Sequence, residues 1–136
     1  MSLHEQKLLK EQYYVEAIRY MDNAKENLQK ADKSGKFYND AKYVKAACGI
    51  AYSGLLVALD GFIILKGYKK PTKKDRKSIE FYQDYLAKID KKMLNYLINA
   101  YKILHLSGYY DGITDVNVIR EGFRNAYTLI EKINPN

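Results

Sequence analysis

Tryptophan is absent from this 136-residue sequence, and cysteine, proline and histidine are scarce: Cys48, Pro71 and Pro135, His4 and His105. A single cysteine excludes an internal disulfide framework. No charged leader followed by an apolar run and a small-residue cleavage site opens the chain, so a reducing cytoplasm is the expected setting. One cysteine and two widely separated histidines supply no ligand set at metal-binding spacing, and neither a metal nor a cofactor is expected. The glycines form no phosphate cradle, since Lys66-Gly67 lacks the remainder of a P-loop. Period-two alternation of apolar and polar residues is missing as well, which argues against a sheet.

What is present is apolar, tyrosine-rich and basic. Apolar residues and tyrosine make up 47% of the chain, there are 14 tyrosines, and 23 basic against 16 acidic residues give a net charge of +7. A chain of this length buries about two thirds of its unfolded surface, enough for a single domain spanning residues 1–136. Breaks at 33–36, 67–74 and 107–115 leave four segments whose apolar residues recur every three or four positions, the period of a helix with one buried stripe. Helices are expected over about 5–33, 39–66, 76–107 and 115–133, and connections this short imply an all-α, antiparallel up-down-up-down four-helix bundle.

The stripes predict the core. Tyr14, Ile18, Met21, Ala24, Leu28 and Ala31 form the first, and Ile119, Phe123, Ala126, Ile130 and Ile133 the last, entered through Thr114 or Asp115 as N-cap. In the third segment Ile79, Tyr82, Leu86, Ile89, Met93, Tyr96, Ala100 and Ile103 permit one continuous helix about 40 Å long. Asp90 could instead cap a second helix after a break. From Ala46 to Leu65 the only charge is Asp60, the pattern of a helix surrounded by neighbours. That run is long enough to span a membrane, but Asp60, three glycines and the polar faces of the other segments argue for a soluble core helix. Along it Ala47, Ala51, Gly54, Ala58 and Gly61 form a seam of small residues, and Tyr52, Leu55, Leu59 and Phe62 a seam of large ones. The small seam suits close approach by another helix, either within the chain or from a second copy.

Three places could carry chemistry. Lys66, Lys69, Lys70, Lys73, Lys74, Arg76 and Lys77 hold nearly all of the excess charge; such a density attracts polyanions through salt-dependent contacts, with Tyr68 available to stack on an unpaired base. Near the end of the third segment His105 could act as a general acid or base, oriented by Tyr109 or Asp111 and accompanied by Lys102, with Tyr110 beside them. Asp60 needs a hydrogen-bond partner or a proton in its apolar helix, and a tyrosine donor is the expected solution. Cys48 reads as a small core residue.

The stretch Ala46-Ala47-Cys48-Gly49-Ile50-Ala51-Tyr52-Ser53-Gly54 through Leu65-Lys66-Gly67, an alanine-tyrosine step followed by small and apolar residues and a closing glycine, resembles the second helix of HEPN domains, the higher-eukaryote and prokaryote nucleotide-binding helical bundles. Ala17, Tyr20, Ala24 and Leu28 and the Phe37-Tyr38 step are similar to that family too. The resemblance implies a helical bundle that often dimerises and serves as a toxin ribonuclease, a partner of a minimal nucleotidyltransferase or an inactive RNA-binding relative. Ribonuclease members carry Arg, four to six residues, then His; His105 stands at the histidine position, but Ile98, Asn99 and Ala100 occupy the places of the arginine. Lysine at 102 cannot reproduce the arginine fork. The expectation is therefore a non-catalytic, homodimeric binding or accessory module for RNA, nucleotide or a partner protein, with a divergent ribonuclease or nucleotide-processing enzyme using His105 as the alternative.

Overall fold

Ser2 starts the first helix: its hydroxyl accepts from the Glu5 amide at 3.1 Å while the Glu5 carboxylate accepts from the Ser2 amide, a reciprocal capping box. In the computed structural model, which describes residues 1–136, helix α1 then runs Leu3–Lys30. It stops short of the expected residue 33 because Asp32 adopts a φ of 52°, which turns the chain out of the helix. A two-residue antiparallel hairpin follows, β1 (Lys33–Ser34) and β2 (Phe37–Tyr38), with Gly35 at a φ of 62° between them. Four strand residues are too few to show a period, so the sequence did not announce them. The hairpin is tied to the far end of the chain: the Tyr38 amide donates to the Thr114 carbonyl at 2.8 Å and the Val116 amide to the Lys36 carbonyl at 2.9 Å.

Helix α2 (Ala41–Leu65), capped by Asp40, is the centre of the protein. Ala47, Ala51, Gly54, Ala58 and Gly61 are all buried, and the helix they receive is α1 of the same chain. A Cβ on Gly54 would lie 2.7 Å from Tyr20 Cβ and 3.2 Å from the Ala17 carbonyl oxygen, and one on Gly61 would lie 2.7 Å from Tyr13 Cβ. The reading of this seam as a face for a second copy is thereby corrected, since α1 already fills it. Although α2 is long and apolar enough to cross a membrane, 61% of its most apolar stretch is covered by the rest of the chain.

After Gly67, at a φ of 90°, the basic connection folds back through a single turn, α3 (Lys73–Arg76), held by a capping box between Thr72 and Asp75. The long third helix expected over 76–107 is not one helix. It is divided into α4 (Ile79–Ile89), α5 (Lys91–Ala100) and a π-helix (Tyr101–Tyr110). The first division is the work of Asp90, whose extended backbone breaks the hydrogen-bond ladder while its carboxylate accepts from the Lys92 and Met93 amides at 3.0 and 3.1 Å. After that break the buried positions are Met93, Leu97, Ala100, Leu104 and Gly108, so Tyr96, expected inside, is exposed. Asp115 caps the last helix, α6 (Val116–Ile130), and a 3₁₀ turn (Glu131–Ile133) follows. Ile119, Phe123, Ala126, Ile130 and Ile133 are all buried. Tyr14 donates to Glu131 at 3.0 Å, which places that turn on α1.

The chain is all-α apart from the hairpin. Its core gathers Met21 and Ala24 of α1, Leu55, Leu59 and Ile63 of α2, Tyr82 and Leu86 of α4, Leu97 of α5, Leu104 of the π-helix and Ile119 and Leu129 of α6.

Candidate functional site

The π-helix presents Tyr101, His105 and Tyr109, four residues apart, as a column of rings. Tyr101 and His105 stack with centroids 5.3 Å apart, and His105 and Tyr109 at 5.9 Å. Tyr110 meets the imidazole edge-on at 5.0 Å, and Tyr52, reaching across from α2, lies 4.8 Å from it. Two contacts with α2 allow so close an approach. Gly49 receives the Tyr109 ring, and Gly108 sits so tightly on Cys48 that a Cβ there would fall 2.3 Å from the sulfur. Cys48 is wholly buried, its thiol pushed up to about 12 by that burial, and so has no reactive thiolate at neutral pH.

Four of these rings, Tyr52, Tyr101, His105 and Tyr110, line a cleft of about 340 Å³ together with Arg76, Lys77, Ile79 and Glu80, while Tyr109 lies outside it. Partial burial lowers the proton affinity of His105, which keeps its imidazole neutral at neutral pH. A neutral imidazole flanked by phenol rings offers a flat, polarisable surface, and Arg76 and Lys77 supply two positive charges against the one carboxylate of Glu80. That pairing suits a planar group attached to an anion.

The expected companions of His105 are placed differently. Lys102 is exposed and does not line the cleft; Asp111, also exposed, follows the π-helix and donates its amide to the Leu106 carbonyl at 3.0 Å. His105 is thus joined by tyrosines rather than by the Lys102 and Asp111 of a conventional acid-base set. No group of three His, Cys, Asp or Glu side chains converges anywhere in the protein.

Asp60, wholly buried in α2, accepts a 2.8 Å hydrogen bond from the Tyr82 hydroxyl and forms an ion pair with Arg76. Burial raises its carboxyl above the ordinary carboxylate range, against the pull of Tyr82 and Arg76 in the other direction. Arg76 is consequently a buttress of the core as well as a member of the cationic connection. The other basic residues differ among themselves. Lys69, Lys70, Lys73 and Lys74 are exposed, Lys77 reaches the cleft, and Lys66 lies over the Phe62 ring at 5.4 Å beside Lys10 and Lys132. One edge of the half-exposed Tyr68 is taken by Tyr85, with centroids 4.7 Å apart.

Sequence reasoning missed Tyr52, Tyr101, Ile79 and Glu80 as members of the cleft. The four-residue spacing of Tyr101, His105 and Tyr109 was visible and could have marked a ring column; nothing local links Tyr52 to His105. A solved structure of a protein of unknown function from Dyadobacter fermentans is similar throughout, with 37% identity, a TM-score of 0.77, and 98% of this chain and 97% of that one covered. None of the curated proteins matches the chain. A family described as a domain of unknown function, DUF5618, matches residues 12–135, and with all but the opening of α1 inside that match, the chain belongs to the DUF5618 family.

Proposed function

We propose that this protein is a HEPN-like four-helix bundle that binds single-stranded RNA without cleaving it, as a cytoplasmic, homodimeric accessory module. The observation that carries the reading is the cleft: the rings of Tyr52, Tyr101, His105 and Tyr110 share it with Arg76 and Lys77, which are continuous in sequence with Lys69, Lys70, Lys73 and Lys74. Aromatic stacking contributes about 1–3 kcal/mol per base whatever the sequence, and the lysines add salt-dependent attraction to phosphates. Support for the homodimer comes from the resemblance and from Ala46, Ile50, Ser53 and Val57, an uncharged stripe that the chain's own helices leave partly open. Light scattering measures that state directly.

Fluorescence anisotropy of a labelled single-stranded RNA, titrated across a range of salt, separates the two contributions. Affinity is expected to fall steeply with salt, and joint alanine substitution of Lys69, Lys70, Lys73 and Lys74 to reduce the logarithmic slope by up to roughly 3. Tyr110→Ala, at a strongly exposed ring, is expected to weaken binding by about 1–3 kcal/mol and leave the slope unchanged. No binding at low salt would remove the RNA reading and turn the search to nucleotides and partner proteins.

A second reading, a divergent ribonuclease, has one observation in its favour. The cation missing from positions 98–100 is supplied in space by Arg76, in the same cleft as a neutral His105 able to accept a proton. Intact RNA recovered from the titration supports the binding module; cleavage that His105→Ala abolishes would support the enzyme.

A further inference from the structure

Arg76 borders two cavities. It lines the ring-walled cleft with Tyr52, Lys77 and His105, and on its other side a cavity of about 260 Å³ with Tyr20, Ser53 and Asp60. Its side chain is 40% exposed, whereas that of its ion partner Asp60 is 0% exposed. One guanidinium therefore joins a buried carboxylate to an open cleft, and it is carried on a four-residue helix in an otherwise irregular connection.

An anion in the cleft competes with Asp60 for this cation. With Arg76 turned away, the groups around Asp60 are the Tyr82 hydroxyl from α4, the Tyr13 phenol from α1, Tyr20 of α1 and Ser53 of α2 in the shared cavity and, farther off, Lys70 of the connection; Asp60 is the only charged residue of α2 beyond Lys45. Of these, Tyr82 alone donates a hydrogen bond to it. A carboxylate on the buried helix, left with one neutral donor, takes up a proton, which reaches it through the cavity it lines, in preference to remaining an uncompensated charge.

We propose that anion binding in the cleft draws Arg76 away from Asp60 and is accompanied by transfer of one proton from solvent to Asp60 Oδ2. Tyr82 continues to donate to Oδ1, the guanidinium balances the anion, and the new O–H bond neutralises the carboxylate. The inference rests on the reading of the cleft as the RNA site and adds a regulation to it: binding strengthens as pH falls below neutral.

Isothermal titration with a short RNA lacking a terminal phosphate tests this, because phosphodiesters do not titrate near neutral pH. Runs at one slightly acidic pH in two buffers of different ionisation enthalpy give the number of protons taken up. The wild type is expected to approach one proton per bound RNA, Asp60→Asn none, and His105→Gln and Glu80→Gln, which remove the imidazole and the carboxylate that line the cleft, to retain the uptake. Equal uptake in Asp60→Asn, or uptake lost only in a His105→Gln or Glu80→Gln protein that still binds RNA, overturns the proposal. RNA binding with no uptake overturns it while leaving the RNA reading intact; absence of binding removes both. An infrared difference spectrum gives an independent readout: a carboxylic-acid C=O band should appear on adding RNA to the wild type and to Glu80→Gln but not to Asp60→Asn, and its absence from the wild type has the same consequence as absent uptake.

Discussion

Replacing Gly54 by leucine is expected to destabilise the protein by about 3 kcal/mol, the upper end of the usual range for overpacking, and to lower the midpoint of thermal unfolding by roughly 10 °C. The reason is the closeness of α1: even a Cβ would stand 2.7 Å from Tyr20 Cβ and 3.2 Å from a backbone oxygen of Ala17, and a backbone atom cannot rotate aside. Leucine's better helix propensity returns at most about 1 kcal/mol. Glu26→Leu, at an exposed position of α1, is the control and should change stability by no more than about 0.5 kcal/mol. Far-UV circular dichroism during heating reads both. A Gly54→Leu protein with the wild-type midpoint but an altered oligomeric state would contradict the placement of α1 in this seam.

The second large effect concerns the buried ion pair. Arg76→Ala leaves the Asp60 carboxylate enclosed with Tyr82 as its sole hydrogen-bond donor. Breaking a fully buried pair costs about 3–5 kcal/mol; with Arg76 partly in solvent, which already screens the interaction, about 2 kcal/mol is expected at neutral pH. The pH dependence has a definite sign. Burial, the largest influence, raises the Asp60 carboxyl above its unfolded value, so its ionised form costs stability above the raised value and costs nothing below the ordinary carboxylate value of about 4. Removing Arg76 raises it further, and the penalty of Arg76→Ala should shrink as pH falls from neutral through that window. Asp60→Asn keeps an acceptor for Tyr82 and removes the charge, so adding Arg76→Ala to it should have little further effect. Urea denaturation of the four proteins at two pH values completes the cycle; additive losses would mean that the two residues act independently.

Most of the helical architecture was legible because three-and-four spacing records which face of a helix is covered. That record is good for α1 and α6, where one stripe serves a whole helix, and for α2, whose near absence of charge marks a helix covered on several sides. It degrades after Asp90, where the break resets the phase and the buried set becomes Met93, Leu97 and Leu104 while Tyr96 turns outward. The π-helix widens the turn without leaving a distinct pattern of residue types, and a hairpin of four residues is too short to have a period. At the site, the basic cluster and His105 were legible as chemistry but not as neighbours. Arg76 and His105 meet in one cleft because α3 folds back over the start of α4, a property of the connection between 67 and 78 that no helical repeat encodes. The partner of Asp60 was legible as to type, a tyrosine hydroxyl, but the identity of Tyr82 and the involvement of Arg76 depend on tertiary placement.

The small hairpin is also expected to divide the folding reaction in time. Joining α1 to α2 through ten residues brings together two helices adjacent in the chain, so their contact closes a short loop at low entropic cost. The bonds from Lys36 and Tyr38 to Val116 and Thr114 close a loop that spans most of the sequence and belong to a late stage. Substitutions at Gly54 should then appear chiefly as slower refolding, and those that loosen the 114–116 junction, such as Asp115→Ala at its cap, chiefly as faster unfolding. Stopped-flow denaturant jumps distinguish the two limbs; equal effects on both rates at the two places would refute the order.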